Sequence, residues 1–321
     1  MIAPGIDPAG RRSRCLQRAA DNAVAAFCGL VRDELRFREA QLLPAAELRR
    51  YLRPLFAADG GLSPLGVAGY AARLRPVVMT ILAAPPGLKI LDAGCGYGTE
   101  SYLFARLGAE VMAVELVPER AEMARSRKDF FSQQAPGSAP PRFINANILR
   151  FLSEGAAFDL IWAMESISHI FPPEDFLSSA RLRLAPGGVL ALSDPNKANP
   201  VAWLRAVLIR GSVRHSPHLE FRDPESGLPV AYGQEKIYSV SGMKRLLRRS
   251  GYAVDRISVA GFLGTTLLPA AWRGRTGIAS ALLAFQKAAG LLPLLRRWGS
   301  NYTILARSAS PRAIAKLGPF L

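Results

Sequence analysis

From Leu88 onward the chain alternates short apolar runs with helical stretches, and this alternation limits the fold more than any other feature. Lys89–Asp92, Glu110–Glu115, Arg142–Ala146, Phe158–Met164 and Val189–Ser193 read as strands, the last entered by the turn Ala185-Pro-Gly-Gly188. Helical patterns run to Leu107 and start again at Pro118. Tyr252–Val259 and Asn301–Ala306 read as two further strands, with helices at Val240–Arg249 and Ala279–Trp298. Strands alternating with helices specify a doubly wound, mostly parallel α/β sheet of seven strands. Ligands of such sheets bind at the carboxyl ends of the strands.

Ahead of the sheet, Leu30–Arg38, Ala45–Phe56 and Val67–Ala83 carry apolar residues at helical spacing, with breaks at Pro44, Gly60-Gly61 and Pro85-Pro86. The expected organisation is a helical N-terminal extension over 1–86 and an α/β domain over 87–307. A capping insertion at 196–237 interrupts that domain, and a tail follows over 308–321. An insertion this long inside a compact fold reads as a lid or substrate loop, or else as a disordered segment.

The loop Asp92-Ala-Gly94-Cys-Gly96-Tyr-Gly98 closes the first strand and opens a helix. Its glycines allow a tight turn and let a ligand approach the backbone closely. Dinucleotide sites use G-x-G-x-x-G with a pyrophosphate at the helix N-terminus. Here the spacing is G-x-G-x-G, and Asp92 would repel a pyrophosphate. The pattern suits a ligand with a positive sulfonium and an amino acid tail, S-adenosylmethionine. Glu115 ends the second strand, 21 residues after Gly94, where a carboxylate can accept both hydroxyls of a ribose.

With these residues in place, Leu91–Gly98 resembles motif I of the class I S-adenosylmethionine-dependent methyltransferases. The resemblance makes Asp92, Gly94, Gly96, Gly98, Glu115, Asn147, Ile148 and Met164 the expected cofactor-binding residues. Asn147 stands where that family usually has an Asp for the adenine amino group, and an amide carbonyl can accept the same bond without the charge. Leu184–Leu190 matches the turn before the family's fifth strand. The likeness covers about residues 60–195 well and 238–307 loosely.

Met164-Glu-Ser-Ile-Ser-His-Ile170 looks like the segment after the fourth strand in ubiquinone, tocopherol, sterol and sugar O-methyltransferases. The sulfonium is already activated, so positioning the nucleophile is the main task. A hydroxyl nucleophile gains from a base, and a His titrates in the right range. His169 is therefore the candidate base, with Glu165 as its orienter or a substrate contact; the alternative is that His169 caps the following helix or fills the pocket wall. The expected activity is methyl transfer to a small-molecule acceptor, a hydroxyl first of all.

No Asn/Asp-Pro-Pro-Tyr/Phe segment follows the fourth strand, and no cysteine follows the fourth or fifth. Amine methylation of DNA or glutamine and covalent cytosine chemistry are thereby disfavoured, and nucleic acid is not an expected partner. No metal is expected: Asp194, Asn196 and Glu165 depart too far from a catechol-type Mg²⁺ site, and His215, His218 and Glu220 form only a loose cluster. Cys15, Cys28 and Cys95 are too few and scattered for a disulfide framework, and Cys95 reads as a small filler.

Net charge is +16, distributed as +5 over 1–86, −3 over 87–195 and +14 over 196–321. Lys244, Arg245, Arg248 and Arg249 gather on one helix face, and the helical runs from Val201 and Ala279 are apolar with basic ends. Such surfaces suit a lipid-linked or phosphorylated acceptor or an anionic membrane. They equally suit apolar faces packed on the sheet with solvated arginines. No run of about 20 apolar residues free of interruption is evident, so a cytoplasmic protein with peripheral membrane contact left open is the expectation. Two rivals stand beside the enzyme reading: an RNA methyltransferase or binder using the basic third, and a non-catalytic scaffold with this fold.

Overall fold

The structure is a computed structural model. It describes residues 8–57, 59–201, 203–204, 219–232, 236–261, 276–289, 292 and 295–309. Three helices come first: α1 (Pro8–Ala40), α2 (Ala46–Leu52) and α3 (Pro64–Ala83). The first half of the sheet follows as β1 (Lys89–Ala93), α4 (Thr99–Arg106), β2 (Glu110–Glu115), α5 (Pro118–Ser126), α6 (Lys128–Gln134) and β3 (Arg142–Asn145). Then come α7 (Ile148–Phe151), β4 (Phe158–Met164), α8 (Pro173–Arg183) and β5 (Leu184–Pro195). A hairpin of β6 (Leu219–Arg222) and β7 (Pro229–Tyr232) precedes α9 (Val240–Arg249), β8 (Tyr252–Ala260), α10 (Thr276–Ala289) and β9 (Asn301–Ser308).

Seven strands form one sheet in the order β3-β2-β1-β4-β5-β9-β8. All neighbours pair in parallel except β9, which is antiparallel to both β5 and β8. The order reverses between β1 and β4, the place where open α/β sheets leave a crevice for a ligand.

Period-two alternation sends neighbouring strand residues to opposite layers. Ile90, Leu160, Trp162, Ala191 and Leu305 face one core together with α1, α3 and α4. Leu91, Ile161, Ala163, Leu190 and Ile304 face the other core with α8 and α9. Burial on both faces is why these strands read as continuous apolar runs.

The helices ahead of β1 share this core. On α3, Leu74, Val77, Val78 and Ile81 are buried at helical spacing, and on α1 so are Ala20, Val24, Phe27, Val31 and Leu35. Ser63 caps α3 by accepting from the Gly66 N–H at 3.2 Å, with Pro64 at the first position. The Arg75–Asp21 pair, 2.7 Å, joins α3 to α1. The wholly buried Arg127–Glu34 pair, 2.7 Å, joins α1 to the chain between α5 and α6.

Three expectations need correcting. The first helix starts at Pro8 rather than Leu30. The polar positions between its apolar residues hide the stripe Ala20-Val24-Phe27-Val31, which a longer window shows. The turn 185–188 lies inside β5 as an irregularity, since pairing jumps from Phe158–Leu184 to Leu160–Val189. Finally, α3 is long and apolar enough to cross a membrane, whereas it packs on α1 and the sheet as a core helix.

The expected helix at 279–298 is seen as α10 over Thr276–Ala289. Most of the expected helix Val201–Arg210, residues His215 and His218, the Glu220 side chain and nearly all of the 308–321 tail lie outside the described residues. On α9 the apolar face, Met243, Leu246 and Leu247, is buried, and Arg245, Arg248 and Arg249 point to solvent.

Candidate active site

β1 delivers residues 94–98 to the crevice. Gly94 (φ +77°) and Gly98 (φ +72°) occupy the left-handed region that side chains disfavour. A Cβ on Gly94 would lie 2.6 Å from the Ser166 hydroxyl, and one on Gly98 would lie 2.5 Å from the Phe143 ring. The Gly94 and Cys95 N–H groups both donate to the Val114 carbonyl, at 2.8 and 3.0 Å. The loop is thereby fastened to β2 before any ligand arrives.

Glu115 sits at the end of β2 with 5% of its surface exposed. Its carboxylate accepts from the Gly96 N–H (2.8 Å) and the Val117 N–H (2.9 Å). Burial pushes its pKa up, against those N–H groups and the nearby Arg120, which favour the charged form. Each oxygen keeps a further lone pair, so the group can still accept two hydroxyls.

A cleft of about 500 Å³ opens over the loop. Gly94, Gly96 and Glu115 form its floor, Asn147 and Ile148 one wall, and Met164, Glu165 and His169 the other. Asn147 caps α7, its carbonyl accepting from the Leu149 N–H at 3.0 Å. The amide acceptor expected to meet an adenine is therefore already partly engaged. Ile148 is a buried apolar contact beside it.

Asp92 and Gly98 do not line this cleft. Asp92 shares its strand face with Ile90, so it points into the α1–α3–α4 layer. There its carboxylate accepts a 2.6 Å bond from the Ser101 hydroxyl. Burial first, and Glu100 next, raise its pKa to about 8, while Ser101 opposes the shift. Asp92 braces the loop from behind, and Gly98 allows α4 to pack on β3.

His169 ends a short 3-10 turn after β4 and lines the cleft. Glu165, expected to orient His169 or to contact substrate, pairs with Arg73 of α3 at 2.5 Å. Glu165 itself has φ +53°, a strained conformation for a residue with a side chain, which recurs at functional sites. Arg73 also donates to the Ser193 hydroxyl at 3.1 Å, and the Thr303 hydroxyl donates to the Arg73 carbonyl at 2.8 Å. Arg73 thus ties α3 to β4, β5 and β9 at one point. Of the other residues weighed for a metal, Asn196 donates to the carbonyls of Arg297 and Gly299, clamping a turn.

Two groups of lining residues carry no sequence signal. From α2, Glu47, Arg50 and Tyr51 roof the cleft. Tyr51 stacks edge-on against Tyr97, and the Tyr97 hydroxyl donates to Glu47 at 3.3 Å. A second cleft of about 330 Å³ adjoins the first and shares Tyr51, Met164 and Glu165 with it. Its walls come from α2 and the turn after it, α3, α10, the end of β8 and the start of β9.

The carboxylate, the close backbone approach over glycines and the apolar wall at Ile148 fit a nucleoside bearing a short cationic tail. The fold and the cleft therefore define a class I S-adenosylmethionine-dependent methyltransferase. The family described as "Methyltransferase domain" matches residues 67–257, more than half of the chain, and the chain belongs to it.

Among curated proteins, the ubiquinone biosynthesis O-methyltransferase of Xanthomonas campestris pv. campestris is 34% identical over 154 residues, covering 47% of this chain and 59% of that protein. The protein of the same description from Roseobacter denitrificans is 34% identical over 130 residues, covering 40% and 50%. The chain thus spans little more than half the length of these relatives. Among solved structures, magnesium protoporphyrin IX methyltransferase of Synechocystis PCC 6803, with bound SAH, superposes with a TM-score of 0.50 at 14% identity. That alignment covers 83% of this chain and 95% of the other, and at such identity it speaks for the fold alone.

Proposed function

We propose that the chain binds S-adenosylmethionine in the first cleft and methylates a hydroxyl of a small-molecule acceptor. The observation that carries this reading is the buried Glu115 carboxylate, held at the cleft floor by two backbone N–H groups. When bound, the cofactor supplies a methyl group already activated by its sulfonium. Glu115 holds the ribose hydroxyls, Gly94 and Gly96 admit the amino acid tail, and Ile148 packs on the adenine. The roof from α2 excludes water. His169 takes the proton of the acceptor hydroxyl from the cleft wall, a role worth about 10²–10⁴-fold in rate. The relatives' description as O-methyltransferases supports oxygen as the methylated atom.

The test is calorimetric titration with S-adenosylhomocysteine, with NADH as the control ligand. Micromolar binding of the first alone, weakened about tenfold to a hundredfold by Glu115→Ala, supports the reading. No binding by folded protein refutes it.

A further inference from the structure

We propose that the second cleft receives the methyl acceptor, an apolar body bearing a hydroxyl, and that Gly69 sets how large a body it admits. This rests on the cofactor site proposed above.

The argument starts on α3. Its apolar residues Ala71, Leu74, Val77, Val78 and Ile81 turn to the core. The other face presents Gly66, Gly69, Tyr70 and Arg73 to the second cleft, again at helical spacing. Glycine inside a helix is unfavourable relative to alanine, so each one calls for a reason. Gly66 has one: a Cβ there would lie 2.0 Å from the Pro54 carbonyl oxygen. Gly69 has none of that kind, because among the described residues a Cβ there meets nothing within 4 Å. Among the described residues, its missing side chain leaves room in the cleft.

The room has a defined chemistry. Leu52, Pro54, Leu55, Leu65, Met164 and Ala260 give the wall its apolar part, and Gln286, Ser300 and Asn301 add polar groups at the β8–β9 end. The Tyr70 hydroxyl is committed to Glu100 at 2.7 Å, and burial pushes the Glu100 carboxyl up toward its neutral form. The charged Arg73–Glu165 pair stands where the two clefts meet, beside Tyr51 and Met164. An acceptor with an apolar body would therefore lie along α3 with its polar end toward the first cleft. Arg73 and Thr303 bond this wall to the sheet. At about 330 Å³ the space suits a substituted ring rather than a polymer.

The experiment uses the whole chain saturated with S-adenosylhomocysteine and titrates two probes, catechol and 4-tert-butylcatechol. Gly69→Leu fills the space, and Gly69→Ala adds one methyl that meets none of the described residues within 4 Å. The expected result is that Gly69→Leu weakens 4-tert-butylcatechol at least tenfold more than catechol. Both variants should bind S-adenosylhomocysteine within twofold of wild type, and Gly69→Ala should unfold at or above the wild-type temperature. Equal loss for the two probes, no loss for either, or no probe binding by the wild type overturns the inference while leaving the cofactor reading intact. Absence of S-adenosylhomocysteine binding by the wild type overturns the cofactor reading, and this inference with it.

Discussion

The two clefts share three residues and are built in opposite ways. The first rests on backbone: a glycine loop, two N–H groups on one carboxylate and a helix cap, all supplied between Gly94 and Ile148. The second is made by side chains from distant places, from Tyr51 to Asn301, that meet only when α3 docks on β9. Backbone sites tolerate change in their surroundings because their geometry is local. Side-chain sites change with each wall residue.

The largest expected effect lies behind the first cleft. Arg127 donates to Glu34, to the Tyr97 carbonyl and to the Thr99 hydroxyl, all buried. Glu34→Ala leaves that guanidinium unpaired, a loss of about 3–5 kcal/mol. Denaturant unfolding should show it, and cofactor-product binding should fall with it. A neutral result would mean that the loop needs no brace from α1.

Asp92 gives a pH signature next in size. Its folded pKa of about 8 lies above the ordinary 3.8, so the folded chain binds that proton more tightly than the unfolded chain. The stabilisation is full below about pH 4 and is lost as pH rises through 8. Asp92→Asn escapes the loss. Between pH 5 and 9 the variant should gain on wild type by on the order of a few kcal/mol, read from urea midpoints. A pH-independent difference would place the charge elsewhere.

Glu115→Ala should cost about 1.5–3 kcal/mol of cofactor-product binding and leave the second cleft unchanged. Arg73→Gln should do the reverse, with S-adenosylhomocysteine affinity within about threefold and stability lower by about 1 kcal/mol, near the centre for point changes. Glu165 is half-exposed and can be hydrated when the pair is broken. Calorimetry on both variants sharpens the contrast, and matching losses of both ligands in both would abolish it. Least affected should be Arg248→Ala, on the solvent face of α9, within about 0.5 kcal/mol and silent in binding.

Much of this was legible in the chain. All seven strands of the main sheet are where the apolar runs place them, with Phe158–Met164 matching to the residue. Gly94, Gly96, Glu115, Asn147, Ile148, Met164, Glu165 and His169 do come together around one cleft. Asp92 and Gly98 belong to the same motif and face away, because the motif shows that they are needed and not which way they point. The lining residues from α2 and the pairing of Glu165 with Arg73, 92 positions away, had no signal of their own.

The sequence by itself determined the α/β order, the glycine loop and the acid after it, since those depend on backbone conformation and on contacts across adjacent strands. Only the tertiary structure decided that Asp92 lies behind the loop and that a second cleft exists with α3 as one of its walls. Those features depend on the direction in which side chains from remote segments leave their helices and strands, and packing fixes that direction.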